Sequence, residues 1–155
     1  MESGALNFNS EKPIGICADH AGFEMKQYLI GVFQEKGIPY KDYGTYTPES
    51  IDYADVAHPL ALGVMMGECY PGISICGSGN GINMAANKHQ GIRSALCWNE
   101  ETATLARQHN DANMMALPGR FISNELAYRM LVIFLNTAFE GERHIRRINK
   151  IPWMG

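Results

Sequence analysis

The sequence predicts an α/β fold: a three-layer α/β/α sandwich on a five-stranded parallel sheet, with one extra helix at the C-terminus. Two observations predict it. Five short apolar runs alternate with helix-periodic segments, and strands separated by helices pair in parallel through right-handed crossovers. A length of 155 residues, with 46% hydrophobic and 19% charged side chains, matches one compact domain rather than a disordered chain. Residues 13–155 are expected to form that single domain. Residues 1–12 are polar, lack periodicity and precede Pro13, so a flexible N-terminal extension is expected there.

The first strand is IGICA, Ile14 to Ala18. Phe23, Met25, Tyr28, Leu29, Val32 and Phe33 then approximate a helical stripe that stops at Gly37. IPYKDYG reads as the second strand. Asp52 is placed to N-cap the helix YADVAHPLALGVMMG, within which Pro59 predicts a kink or a late start. GISIC, Gly72 to Cys76, is the third strand, leading through a glycine loop into a helix around Ile82 to Lys88. IRSALC is the fourth strand, with Asn99 capping EETATLARQ after it; NMMAL is the fifth, with Ser123 capping NELAYRMLVIFLNTAF. After Gly141, ERHIRRINK reads as a separate basic helix. The sheet so described is Rossmann-like, and no internal repeat or low-complexity segment interrupts it.

Bulk charge narrows the function classes. A net charge of -3, from 13 basic and 16 acidic residues, argues against general attraction to nucleic acid or an anionic membrane. No apolar stretch is long enough to span a bilayer and the start lacks signal-peptide character, so a cytoplasmic protein is expected. Cys17, Cys69, Cys76 and Cys97 show no CxxC pair and no zinc-ligand spacing, which suits reduced thiols in a cytosol.

In parallel sheets ligands bind beyond the carboxyl ends of the strands. That rule selects Asp19–His20, the loop from Tyr43 to Tyr53, Cys76 to Gly81, Trp98 to Glu101, and Pro118 to Arg120. The glycine loop SICGSGNGINMAANK fails as a dinucleotide fingerprint, because Ile82 or Met84 stands where the last small residue is needed. It also fails as a P-loop, lacking Gly-Lys-Ser/Thr. What remains is a nest of amides at a helix start, favourable to an oxyanion. Cys76 ends the strand at its mouth, where a helix N-terminus favours a thiolate. A buried small hydrophobe is the ordinary role of a cysteine, and it suffices for Cys17, Cys69 and Cys97. Cys76 differs by abutting a loop whose three glycines have no evident packing reason. His58 and His89 read as structural or solvated, His20 as functional, and His109 as a helix C-terminal residue at the wrong end of the sheet. Histidines with helical ligand spacing are lacking, so no metal is expected. Arg143 and Arg147 share a helical face suited to one phosphate, although the ordinary role of such a patch is a solvated surface.

The segments ADHAGFEMK, DYGTYTPESIDYADVAH, GISICGSGNGINMAANKHQGIR, ARQHNDANMMALPGR and ERHIRRI, in this order and spacing, resemble the type B ribose-5-phosphate isomerases, whose fold galactose-6-phosphate isomerase subunits share. The resemblance spans Ile14 to about Lys150. It implies an aldose–ketose isomerase that needs no cofactor. Cys76 would be the base between C1 and C2, with Ser78 assisting proton movement at the substrate oxygens. Gly77, Gly79, Asn80, Gly81 and Asn110 would hold the enediolate oxygen. His109 would open the sugar ring, Asp19 would bind sugar oxygens, Tyr53 would line the pocket, and His20, Arg120, Arg143 and Arg147 would receive the phosphate. Some members use a glutamate at the position of Ile82, so this chain is of the cysteine type. Members form dimers, sometimes tetramers, with sites built from two chains. Ribose 5-phosphate is the expected substrate. Allose 6-phosphate or galactose 6-phosphate is the alternative, and a nucleotide-binding module is weaker.

Overall fold

The computed structural model describes residues 11–155. The extension expected at residues 1–12 falls outside them except for Glu11 and Lys12. The elements in chain order are β1 (Ile14–Ala18), α1 (Phe23–Lys36), β2 (Tyr40–Asp42), α2 (Tyr53–Met65), β3 (Gly72–Cys76), α3 (Asn80–Ala86), β4 (Ser94–Leu96), α4 (Glu100–Asn110), β5 (Met114–Pro118), α5 (Asn124–Asn136) and α6 (Arg143–Ile148). The strands form one sheet of order β2-β1-β3-β5-β4, every neighbouring pair parallel. Beta strands β1, β3 and β5 are buried along their whole length, as strands covered on both faces must be.

Alternation of side chains across the sheet makes two cores. Ile14, Ile16 and Ala18 of β1 pack with Leu29 and Phe33 of α1, Ala103 and Ala106 of α4, and Met130 and Phe134 of α5. Cys17, Cys76, Met114 and Ala116 face the other way, onto Ala57, Leu60 and Ala61 of α2 and Ile82 and Ala86 of α3. Helices thus cover both faces, and the predicted three-layer sandwich is the observed one.

Local signals set several helix ends. Gly37 closes α1 in the left-handed region at φ 66. Asn99 and Thr102 form a capping box on α4, and Ser123 Oγ accepts from Leu126 N at 3.1 Å on α5. Asp52 corrects an expectation: it occupies the N-cap position of α2, but its side chain makes no capping hydrogen bond. Nor does α2 wait for Pro59, running from Tyr53 to Met65 with Pro59 on its exposed side, where water reaches the carbonyl that proline leaves unpaired. Helix α3 begins two residues before its expected start because Gly79, at φ 77, turns the chain directly into it. Among the described residues, no helix is long and apolar enough to cross a membrane.

Candidate active site

Strand order reverses between β1 and β3, and the groups following these strands define the carboxyl-end site. Cys76, 4% exposed, is the last residue of β3; its carbonyl accepts from Gly119 N at 2.8 Å, which brings in the loop after β5. Arg120 N donates to Gly77 O at 3.0 Å, and the Arg120 guanidinium lies over Gly77. Buried Asp19 accepts from the amides of Ala21 and Gly22, at 2.9 and 3.1 Å, both on Oδ1. His20 Nδ1 accepts from Ile51 N at 3.3 Å, so the neutral ring carries its proton on Nε2. Tyr53, the first residue of α2, lays its ring across Gly81. Asp19, His20, Tyr53, Cys76, Gly77, Ser78, Gly79, Asn80, Gly81 and Arg120 are thus on one edge of the sheet.

The glycines need correcting, since each has a steric reason. A Cβ on Gly79 would overlap Leu96, one on Gly81 would overlap the Tyr53 ring, and one on Gly77 would stand 3.2 Å from Arg120 Nη1. Their smallness lets Tyr53 and Arg120 close over the loop. One nest amide is also committed, because Asn80 N donates to Ser78 Oγ at 3.2 Å.

Four expected site residues are elsewhere. His109 and Asn110 end α4 beside the amino ends of the strands, where Arg93, just before β4, donates from Nε to Asn110 O at 2.9 Å. Cys76 pairs with Pro118 at the other end of β5, so a strand length of about 13 Å separates the two groups. Arg143 and Arg147 are with His109: α6 packs on α4, and the His109 and His144 rings stack with centroids 4.4 Å apart.

Sequence reasoning missed the ion pair behind the site. Lys26 is fully buried on α1 and donates to both oxygens of Asp42, at 2.7 and 2.8 Å. Asp42 Oδ1 also accepts from Gly44 N at 2.8 Å, which fixes the start of the loop that reaches Ile51 and Tyr53. A lysine within an apolar helical stripe was the available signal. The remaining thiols are suited to inert roles: burial drives Cys17 far above the ordinary thiol range, pushes Cys97 up to about 12 and raises Cys69.

The sequence profile described as Ribose/Galactose Isomerase matches residues 14–151. The chain belongs to the ribose/galactose isomerase family. Ribose-5-phosphate isomerase B of Escherichia coli is 41% identical over 140 residues, covering 90% of this chain and 94% of that protein. A ribose 5-phosphate isomerase of Thermotoga maritima superposes with a TM-score of 0.89 at 46% identity, over 92% of this chain and 98% of its own. Ribose-5-phosphate isomerase B of Mycoplasma genitalium, solved with bound ribulose 5-phosphate, gives 0.85 at 38% identity over 91% and 94%. Family membership and fold thus agree with the expected α/β isomerase architecture.

Proposed function

We propose that the protein interconverts ribose 5-phosphate and ribulose 5-phosphate through an enediolate, with Cys76 as the base. The observation that carries this reading is the position of Cys76, at the carboxyl end of the central strand and on the same edge of the sheet as Asp19, Tyr53 and Arg120, in a family whose relatives include ribose-5-phosphate isomerase B.

The Cys76 thiolate takes the proton from C2 of the open-chain aldose, and negative charge moves onto O1. Returning that proton to C1 yields the ketose; the proton on O2 reaches O1 by way of Ser78. Apart from Asn80 N, which donates to Ser78 Oγ, the amides at the start of α3 lack intrahelical acceptors and would receive the developing oxyanion. Losing one such donor typically costs about 3 kcal/mol in the transition state. The second Asp19 oxygen serves the sugar hydroxyls. His20 Nε2–H and Arg120 meet the phosphate, whose remote grip positions C1 and C2.

His109, Asn110, Arg143 and Arg147 enter from a second copy of the chain. In this dimer His109 opens the sugar ring, Asn110 supports the oxyanion and the two arginines complete the phosphate site. Four buried free cysteines suit a reducing cytoplasm, where this isomerase would serve the pentose phosphate pathway.

Proton exchange tests the base. Cys76→Ala is expected to lose exchange of the C2 proton with deuterated solvent, and exchange at the wild-type rate would remove Cys76 from that role. Running ribose 5-phosphate against allose 6-phosphate and galactose 6-phosphate in the same assay fixes the chain length of the substrate.

A further inference from the structure

His109, Glu140 and His144 form a second cluster of chemically able groups. One ligand-capable atom from each lies within 4.8 Å of the others. Glu140 stands in the segment between α5 and α6, tied to the end of α4 by its amide, which donates to Gln108 O at 3.1 Å. Its Oε2 is 3.5 Å from His144 Nε2.

His144 supplies an independent sign. It is 4% exposed, and its Nε2 is buried without a hydrogen bond among the described residues. A buried polar atom left unsatisfied is uncommon and costly. His144 Nε2 is turned toward Glu140, while the face of its ring is covered by the stacked His109.

We propose that His109, Glu140 and His144 bind a divalent cation of the zinc class, and that the bound ion inhibits isomerisation by occupying His109. Two imidazoles and a carboxylate are zinc ligands, whereas magnesium and calcium take oxygen donors. Bonds of about 2.0–2.2 Å require the ligand atoms to close to roughly 3.3 Å. The exposed Glu140 and the half-buried His109 turn to meet the ion, and the buried His144 is the fixed point. His109 must leave its stack, since a metal lies in the plane of each ring it binds. Three protein ligands leave a fourth position to water, the pattern of an exchangeable site rather than a closed structural one. Arg143, 3.9 Å from Glu140, must release it, which weakens binding and makes it reversible by a chelator. The inhibition rests on the ring-opening role proposed for His109; the site itself does not.

Cobalt(II) serves as the spectroscopic probe and zinc as the inhibitor, on the full-length protein. The wild type is expected to give visible bands of a tetrahedral nitrogen–oxygen site without thiolate charge transfer. Glu140→Gln and His144→Asn should each weaken cobalt affinity by at least the 10- to 100-fold, roughly, that even an outer-sphere partner is worth. The zinc inhibition curve should shift by the same factor, read within each variant against its own uninhibited rate. Glu140 is exposed, so its variant gives the answer even if His144→Asn fails to fold. Cobalt affinity unchanged in Glu140→Gln, or a thiolate band that disappears in Cys76→Ala, would overturn the site. If cobalt binds as described while zinc leaves turnover of ring-closed substrate untouched, the site stands and the ring-opening role of His109 falls.

Discussion

Gly81→Ala sets two known effects against each other at one atom. Within α3, alanine is favoured over glycine by about 1 kcal/mol through helix propensity alone. The added Cβ would overlap the Tyr53 ring, standing 2.6 Å from one Cε and 2.9 Å from the other. Overpacking of this kind costs about 1–3 kcal/mol. Tyr53 is 44% exposed, so part of the strain is released by swinging the ring outward, at the expense of its contact with the loop. In a Tyr53→Ala background the clash is absent and only propensity remains. The two substitutions should therefore couple by about 1–3 kcal/mol, with Gly81→Ala neutral or destabilising alone and stabilising beside Tyr53→Ala. Urea unfolding of the four proteins at 25 °C measures this coupling. Additive effects, within about 0.5 kcal/mol, would refute the claim that Gly81 is glycine to admit the Tyr53 ring.

Lys26→Met should destabilise the protein by about 1–3 kcal/mol, because it leaves the part-buried Asp42 without its partner, while Lys26→Met with Asp42→Leu should recover much of that loss; urea midpoints decide. Cys97, held near 12 by burial, has its protonated form favoured by folding, so its contribution is full below the ordinary value of 9.0 and is lost as pH rises toward 12. Cys97→Ala should accordingly flatten the fall in stability above pH 9, measured by thermal unfolding. If sites are shared between protomers, mixing equal amounts of inactive Cys76→Ala and His109→Asn chains should restore about a quarter of wild-type activity, since random reassortment makes half the dimers hybrid with one intact site each. Activity that stays at the level of the separate variants after subunit exchange would refute sharing.

What the sequence made legible was local in origin. Ser123 and Asn99 announce helix starts because a cap needs only a side chain and an amide three residues on. Asp52 has the same chemistry but does not bond, so a capping residue predicts a boundary better than a contact. The carboxyl-end rule brought Asp19, Cys76 and Arg120 together because strand direction alone decides it. Lys26 was hidden, since its partner Asp42 is 16 residues away on β2 and an apolar stripe counts lysine as an interruption. The glycine loop was misread for the same reason: Tyr53 and Leu96, the neighbours that demand glycine at positions 81 and 79, are 28 residues before and 17 residues after. His109 and His144 escaped a search for ligand spacing because α4 and α6 meet only after β5 and α5 have intervened.

The distance between the two groups of expected site residues bears on how such a site can be completed. Cys76 and His109 are at opposite edges of one sheet, and no side-chain rotation spans the roughly 13 Å of strand between them. Arg143 and Arg147 on α6 are placed with His109, so the displaced residues form one patch rather than strays. A second chain related by a two-fold axis would bring that patch to the partner's carboxyl edge twice over, once in each direction, because isologous contacts are reciprocal. In such a dimer the extra C-terminal helix would have a purpose that the sheet itself does not require. It would carry Arg143 and Arg147 at the edge opposite its own Cys76, where only a partner's thiol could use them.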